Sequence, residues 1–150
     1  MSSDLGAELA RIREESLAAQ SRARQAAELA GKKADRSKTL DPARVQQRTM
    51  RALGNVETRL KRAAETSDKL EVMKLTPDDF LNPDSYELFT RGSQAGYPLE
   101  HLVGVAEKVV KYFAKIAVNL KVETASYTED EGQPLDEHEV YYPVLNAIWR

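Results

Sequence analysis

The chain has 150 residues, 41% of them hydrophobic and 31% charged, with a formal net charge of −2 and no cysteine. That length holds one ordinary domain, or one small domain with an extended element, and so high a charge fraction fits a structure with much solvated helix surface. The missing cysteines exclude disulfides, thiolate chemistry, Cys-ligated zinc and iron–sulfur clusters.

The net charge hides an asymmetry. Residues 1–74 carry 16 Lys/Arg and 11 Asp/Glu, a net of +5, and residues 75–150 carry 6 and 13, a net of −7. All ten aromatic residues lie from Phe80 onward, and five of the six prolines lie in 75–150. Aromatic side chains supply much of the buried area of a small core, so the globular core is expected in 75–150. The first thirty residues carry charges every few positions, unlike a signal peptide. The longest apolar run, Val140 to Leu145, is six residues, far short of the roughly 20 that a membrane-spanning helix needs. The expectation is a cytoplasmic protein that does not enter a membrane.

In chain order, residues 4–30 read as one helix. Ser3 or Asp4 can cap it, Gly31 can end it, and Ala, Glu, Arg and Gln dominate between them. A heptad fits, with Leu5, Ile12, Ala19 and Ala26 at one core position and Leu9, Ser16, Ala23 and Ala30 at the other. Leu5, Leu9, Ile12, Ala19, Ala23 and Ala26 are therefore a candidate oligomer seam. Its small residues allow close approach but bury little area. Residues 31–41 form a polar connector. Asp41 followed by Pro42 opens a second helix, 42 to about 72, with Val45, Ala52, Val56, Leu60, Ala63, Ser67 and Leu70 on one face. Gly54 and Asn55 interrupt that helix and allow a kink or break.

Thr76-Pro77-Asp78-Asp79 is a capping signature for a short helix at 77–81, and Asn82-Pro83-Asp84-Ser85 repeats it for a helix at 83–94 with Tyr86 and Phe89 inward. Pro98 starts another helix, whose stripe is Leu102, Ala106, Val109, Phe113, Ile116 and Leu120. Its end is ambiguous, because Ile116, Val118, Leu120 and Val122 alternate with period two. A hairpin of 117–127 with 137–143 is the alternative, with Pro143 restricting the latter to an edge. Residues 143–150 read as one or two helical turns. The expected fold is mainly α: a long N-terminal helical hairpin or coiled-coil-like region over 1–74, and a small helical C-terminal domain over 75–150 with room for one β-hairpin.

The motifs of catalysis and metal binding are missing from this pattern. Gly31-Lys32 fails as a phosphate loop, because Ala26 and Lys33 stand where Gly and Ser/Thr are required. The acidic run Glu129, Asp130, Glu131, Gly132 fails as a calcium loop, because its first and twelfth positions are Tyr127 and His138. Glu137, His138 and Glu139 are better read as a solvated acidic loop than as a metal site. The two histidines, His101 and His138, have no motif partner, which leaves few routes to acid–base catalysis near neutral pH. Asp78 and Asp79 fit the negative charge favoured at a helix start. No enzyme and no cofactor are expected.

The sharpest feature is basic. Residues 32–62 hold ten Lys/Arg against three acids. Lys32, Lys33, Arg36, Lys38, Arg44, Arg48, Arg51, Arg59 and Arg62 are candidate contacts for an acidic partner or for phosphates; a solvent-facing row and pairing with the acidic half of the same chain are the competing readings. Arg44, Arg48 and Arg51 share one helix face by their spacing. No aromatic residue interleaves them for base stacking. Trp149 is a candidate C-terminal anchor, since Trp is enriched at binding hot spots. The functional expectation is a non-enzymatic assembly or adaptor protein whose helical N-terminal half self-associates or docks a protein partner. The alternative is a nucleic-acid-binding module using the basic face within 32–62.

Overall fold

The strong helix formers of the first thirty residues make one continuous helix, α1 (Ser2–Ser37), in a computed structural model that describes residues 2–92, 96–129 and 138–149. The expected stop at Gly31 does not occur. A glycine inside a helix costs about 1 kcal/mol relative to alanine, and the Leu29-Ala30 and Lys32-Lys33-Ala34 flanks outweigh it. The connector shrinks to a turn, where Thr39 and Leu40 donate back to the Arg36 and Ser37 carbonyls. The chain divides into two units, Met1–Asp35 and Arg36–Arg150.

The second helical segment begins where the cap predicts. Asp41 accepts a hydrogen bond from the Ala43 amide at 3.1 Å and Pro42 opens α2 (Pro42–Leu53). The break at Gly54-Asn55 is complete, with Asn55 at a φ of 52° before α3 (Val56–Ala64). The helix expected to reach 72 stops there, because Lys69–Lys74 is a strand, β1.

A 3-10 turn at Pro77–Asp79, α4 (Ser85–Thr90) and a 3-10 turn at Leu99–His101 lead to α5 (Gly104–Lys115). Strands β2 (Asn119–Glu129) and β3 (His138–Ile148) complete the described chain. The strands form an antiparallel sheet in the order β1-β3-β2, with Leu70 and Leu120 both opposite Ala147. The expectation of a small helical C-terminal domain is therefore overturned. A three-stranded sheet occupies its centre, and 143–148 is strand rather than helical turns. Residues 130–137, with Asp130, Glu131, Gly132 and Glu137 of the acidic stretch, lie outside the described residues.

Pro143 sits in the central strand, not at an edge. Its carbonyl accepts from the Leu75 amide at 3.0 Å, so its backbone faces the β1 side. There β1 has already ended, its last register pair being Lys74 with Val144. The donor that proline lacks is therefore missing only at the very end of the β1 pairing, where the Leu75 amide still reaches across to its carbonyl.

The core forms between one face of this sheet and the helices. Val105, Ala106, Val109 and Phe113 of α5 are buried with Val72, Val122, Leu145 and Ala147 of the strands. Phe80 and Phe89 are fully enclosed and meet Tyr97 edge-to-face at ring separations of 5.2 and 6.1 Å. Helix α2 packs on α5 and α3 on β1, so these two helices belong to the sheet's own unit rather than to a separate hairpin. Gly104, at a φ of 60°, lets α5 start close to Leu40: a Cβ there would stand 2.9 Å from the Leu40 Cδ1.

Helix α5 ends in a Schellman motif. Val118 donates to the Phe113 carbonyl at 3.2 Å and Ala117 to that of Ala114 at 3.4 Å. Ala117 takes the left-handed position, with φ of 56°, where glycine carries no Cβ penalty. Ala117→Gly should raise the unfolding free energy by about 1 kcal/mol, measured by urea denaturation. An unchanged or lower midpoint would show that the left-handed alanine carries no such cost here.

Candidate functional site

Two groups of residues stand out, one in each unit. In Met1–Asp35 the expected seam is on the surface. Leu5, Leu9 and Ile12 are 58%, 57% and 52% exposed, and Ala19, Ala23 and Ala26 are exposed as well. No described side chain from Asp4 to Asp35 is buried. Isolated surface leucines are ordinary, but three at helical spacing on one face form a continuous apolar row. Leu17, also exposed, falls outside that row.

The basic residues divide by what they touch. Lys32 and Lys33 lie on the last turns of α1 in the first unit, and Lys38 follows the helix. Arg36 is turned into its own fold. Its Nε donates to the Phe80 carbonyl and its Nη2 to that of Pro77, both at 3.1 Å, and Nη1 reaches Thr39 Oγ1 at 2.8 Å. Asp78 lies 3.7 Å from its Nη2.

Arg48 on α2 pairs with Asp79. Nη2 donates to Oδ2 at 3.1 Å and Nη1 to Oδ1 at 3.4 Å. Asp79 is fully buried and also accepts from the Thr76 amide at 2.7 Å and the Thr76 hydroxyl at 3.1 Å. The capping pattern Thr76-Pro77-Asp78-Asp79 thus does more than start a turn: its acid is the socket for an arginine 31 residues earlier. Arg59 on α3 closes the end of α2, with Nη1 donating to the Ala52 carbonyl at 3.0 Å and Nη2 reaching that of Val72 at 3.5 Å.

Arg44, Arg51 and Arg62 keep exposed positions. Arg48, Arg51 and Arg59 nevertheless converge. With Lys74 they surround a groove of about 500 Å³ between the helices and β1, floored by Ala52, Val72 and Met73. Lys74 escaped the sequence reading because it lies beyond the basic stretch 32–62 and just past the helix expected to end at about 72. The strand places it here, with its ammonium 5.0 Å from the centre of the Tyr142 ring. Trp149 is half-buried against the core, and its indole N–H donates to the Ser67 carbonyl at 2.9 Å.

A second groove, of about 540 Å³, is lined by Tyr86, Tyr127, Tyr141 and Tyr142 with Lys74 and Glu139. The Tyr141 hydroxyl donates to Glu139 at 2.6 Å. That bond, and the carboxylate's charge, push the phenol's pKa above its ordinary value. Tyr112 is also pushed up, by desolvation first and then by the charge and hydrogen bond of Glu57. Both phenols therefore stay protonated at neutral pH. His138 lies 3.2 Å from Glu129 across the β2–β3 pair. Among the described residues no cluster of three or more His, Asp or Glu is placed to hold a metal ion.

These contacts separate arginines that hold the fold from arginines free to meet something else. Arg48→Ala should lower the unfolding free energy by about 2 kcal/mol, because it leaves a buried carboxylate with only the Thr76 donors. Arg51→Ala, one turn on and exposed, should change it by less than about 0.5 kcal/mol. Urea unfolding of both variants checks this, and an equal loss from the two would give Arg51 a structural role. No protein-family model matches the chain, and no curated protein or solved structure matches it either.

Proposed function

We propose that this is a non-enzymatic interaction protein, an assembly or adaptor component that self-associates through α1 and offers the Arg36–Arg150 unit as a second contact. The observation that carries this reading is the exposure of Leu5, Leu9 and Ile12 in one row along a 36-residue helix. Contiguous exposed apolar surface marks interaction sites in stable proteins. A helix without tertiary packing also gains most of its stability from whatever covers its apolar face. No catalytic group or cofactor enters this reading, and it includes action in the cytoplasm.

A second reading, a nucleic-acid-binding module, is favoured by one observation: Arg48, Arg51, Arg59 and Lys74 surround a single groove. It ranks lower because Arg48 and Arg59 already bond within the fold and no aromatic ring lines the groove to stack a base. Under this reading an oligonucleotide should bind at low salt and dissociate steeply as salt rises. Joint substitution Arg51→Ala and Lys74→Ala should lower the log–log salt slope by about 2.

For the first reading, light scattering on a sizing column should give an oligomer in both low and high salt. Leu9→Glu with Ile12→Glu should convert it to monomer while circular dichroism keeps the strand signal of the second unit. A wild-type chain that is monomeric at high concentration would sink the self-association reading. An oligonucleotide that fails to bind at low salt would sink the other.

A further inference from the structure

We infer that the α1 seam takes a second copy of itself in antiparallel orientation, with Leu9 of one chain against Ala26 of the other. This rests on the self-association reading above and adds the geometry of the interface.

The seam is graded in size. Leu5, Leu9 and Ile12 come first, then Ser16, then Ala19, Ala23, Ala26 and Ala30. The separation of two packed helices follows the side chains between them, about 8–10 Å. In a parallel, in-register pair, large residues would meet large at one end and alanine would meet alanine over the rest. The axes would have to converge along the helix or leave gaps beside the alanines, and gaps forfeit contact. An antiparallel pair removes the conflict. Leu5 meets Ala30, Leu9 meets Ala26, Ile12 meets Ala23 and Ser16 meets Ala19, so each layer sets a larger residue on a smaller one. The arrangement is its own mate under a two-fold axis between Ser16 and Ala19, as a closed dimer interface requires.

The charges agree. One flank of the seam carries Glu8, Glu15, Arg22 and Leu29, and the other carries Gly6, Arg13, Gln20 and Ala27. In an antiparallel pair each flank faces its own copy. Glu15 then meets Arg22 of the second copy, twice by symmetry, while Glu8 lies beside Leu29 and Arg13 beside Gln20. No like charges oppose. Glu15 is also 4.0 Å from Arg11 on its own helix. A parallel pair would join Glu8 to Arg13, so charge permits a second copy in either direction and side-chain size selects between them. Residues 1–35 carry six Lys/Arg and six Asp/Glu, so two copies approach without net repulsion.

The chain has no cysteine, so Leu9→Cys and Ala26→Cys variants of the full chain each carry one thiol. Mixed in equal amounts and gently oxidised, they should form mainly the mixed disulfide between positions 9 and 26, identified by peptide mass. Disulfides of each variant with itself, in preference to the mixed one, would overturn the antiparallel geometry and leave self-association standing. A dimer by light scattering with no disulfide of any kind would place the interface elsewhere and overturn the seam. A wild-type monomer would overturn the self-association reading itself. Independently, Glu15→Arg should raise the dimer's dissociation constant about tenfold, and adding Arg22→Glu should restore it. A double variant as weak as the single one would also count against this pairing.

Discussion

A carboxylate taken out of water must be paired and hydrogen-bonded, or its burial costs more than a fold of this size can sustain. Asp79 is fully enclosed, and the requirements of its two oxygens explain much of the layout of Arg36–Arg150. Arg48 reaches it from α2, and Thr76 donates twice from the segment leaving β1. The backbone is tied at the same point, since the Asp79 carbonyl accepts from Val103 at 2.9 Å and Leu81 donates to His101 at 2.9 Å. Arg36 grips the neighbouring carbonyls of Pro77 and Phe80. One turn of three residues thus joins helix, strand exit and the lead into α5. Among the described residues no buried side-chain nitrogen or oxygen lacks a partner.

Features encoded by neighbours in sequence were legible. Asp41-Pro42, Thr76-Pro77 and the Gly54-Asn55 break all act locally, through a cap, a preset φ or a left-handed residue. The buried stripe Ala106, Val109 and Phe113 follows from helical periodicity alone. What failed was non-local. Lys69–Lys74 contains Leu, Glu, Met and Lys, all good helix formers, and it becomes a strand because β3, some seventy residues later, offers a ladder. Pro143 misled for a related reason. The rule that confines proline to edges concerns a missing donor, and a central strand tolerates it at the end of a neighbouring strand, where one backbone bond still forms.

The basic cluster shows the same limit at the level of a site. By charge alone the row can face solvent, pair with the acidic half of the same chain or dock a partner; in the structure Arg36 and Arg48 pair with Asp78 and Asp79 of that half, and Arg59 bonds the Ala52 and Val72 carbonyls. Nothing in their spacing distinguishes them from Arg44, Arg51 and Arg62. The partners that decide the matter are a carboxylate and several carbonyls whose positions exist only after folding. The contrast between a basic half and an acidic half fades as well. Arg36 and Arg48 stand against Asp78 and Asp79 of the acidic half, so part of the positive charge is neutralised inside one unit. The electrostatic footprint left for a partner is smaller than the ten cations of 32–62 imply.

Helix α1 obeys the opposite logic. Its first thirty-odd residues gain nothing from a buried side chain, so propensity and solvent-exposed pairs such as Arg11 with Glu15 support it in a single chain. Such pairs contribute only about 0.2–0.5 kcal/mol each. Under the proposed self-association, covering the seam adds a stabilising term that the helix of a single chain lacks, and helix stability becomes linked to association. A seam with three large residues per chain cannot make that association very tight, because alanine layers bury little area. Its thinness has a structural consequence. Each leucine or isoleucine that is lost removes a large share of the apolar surface available for pairing, whereas the Asp79-centred unit distributes its stability over a closed core.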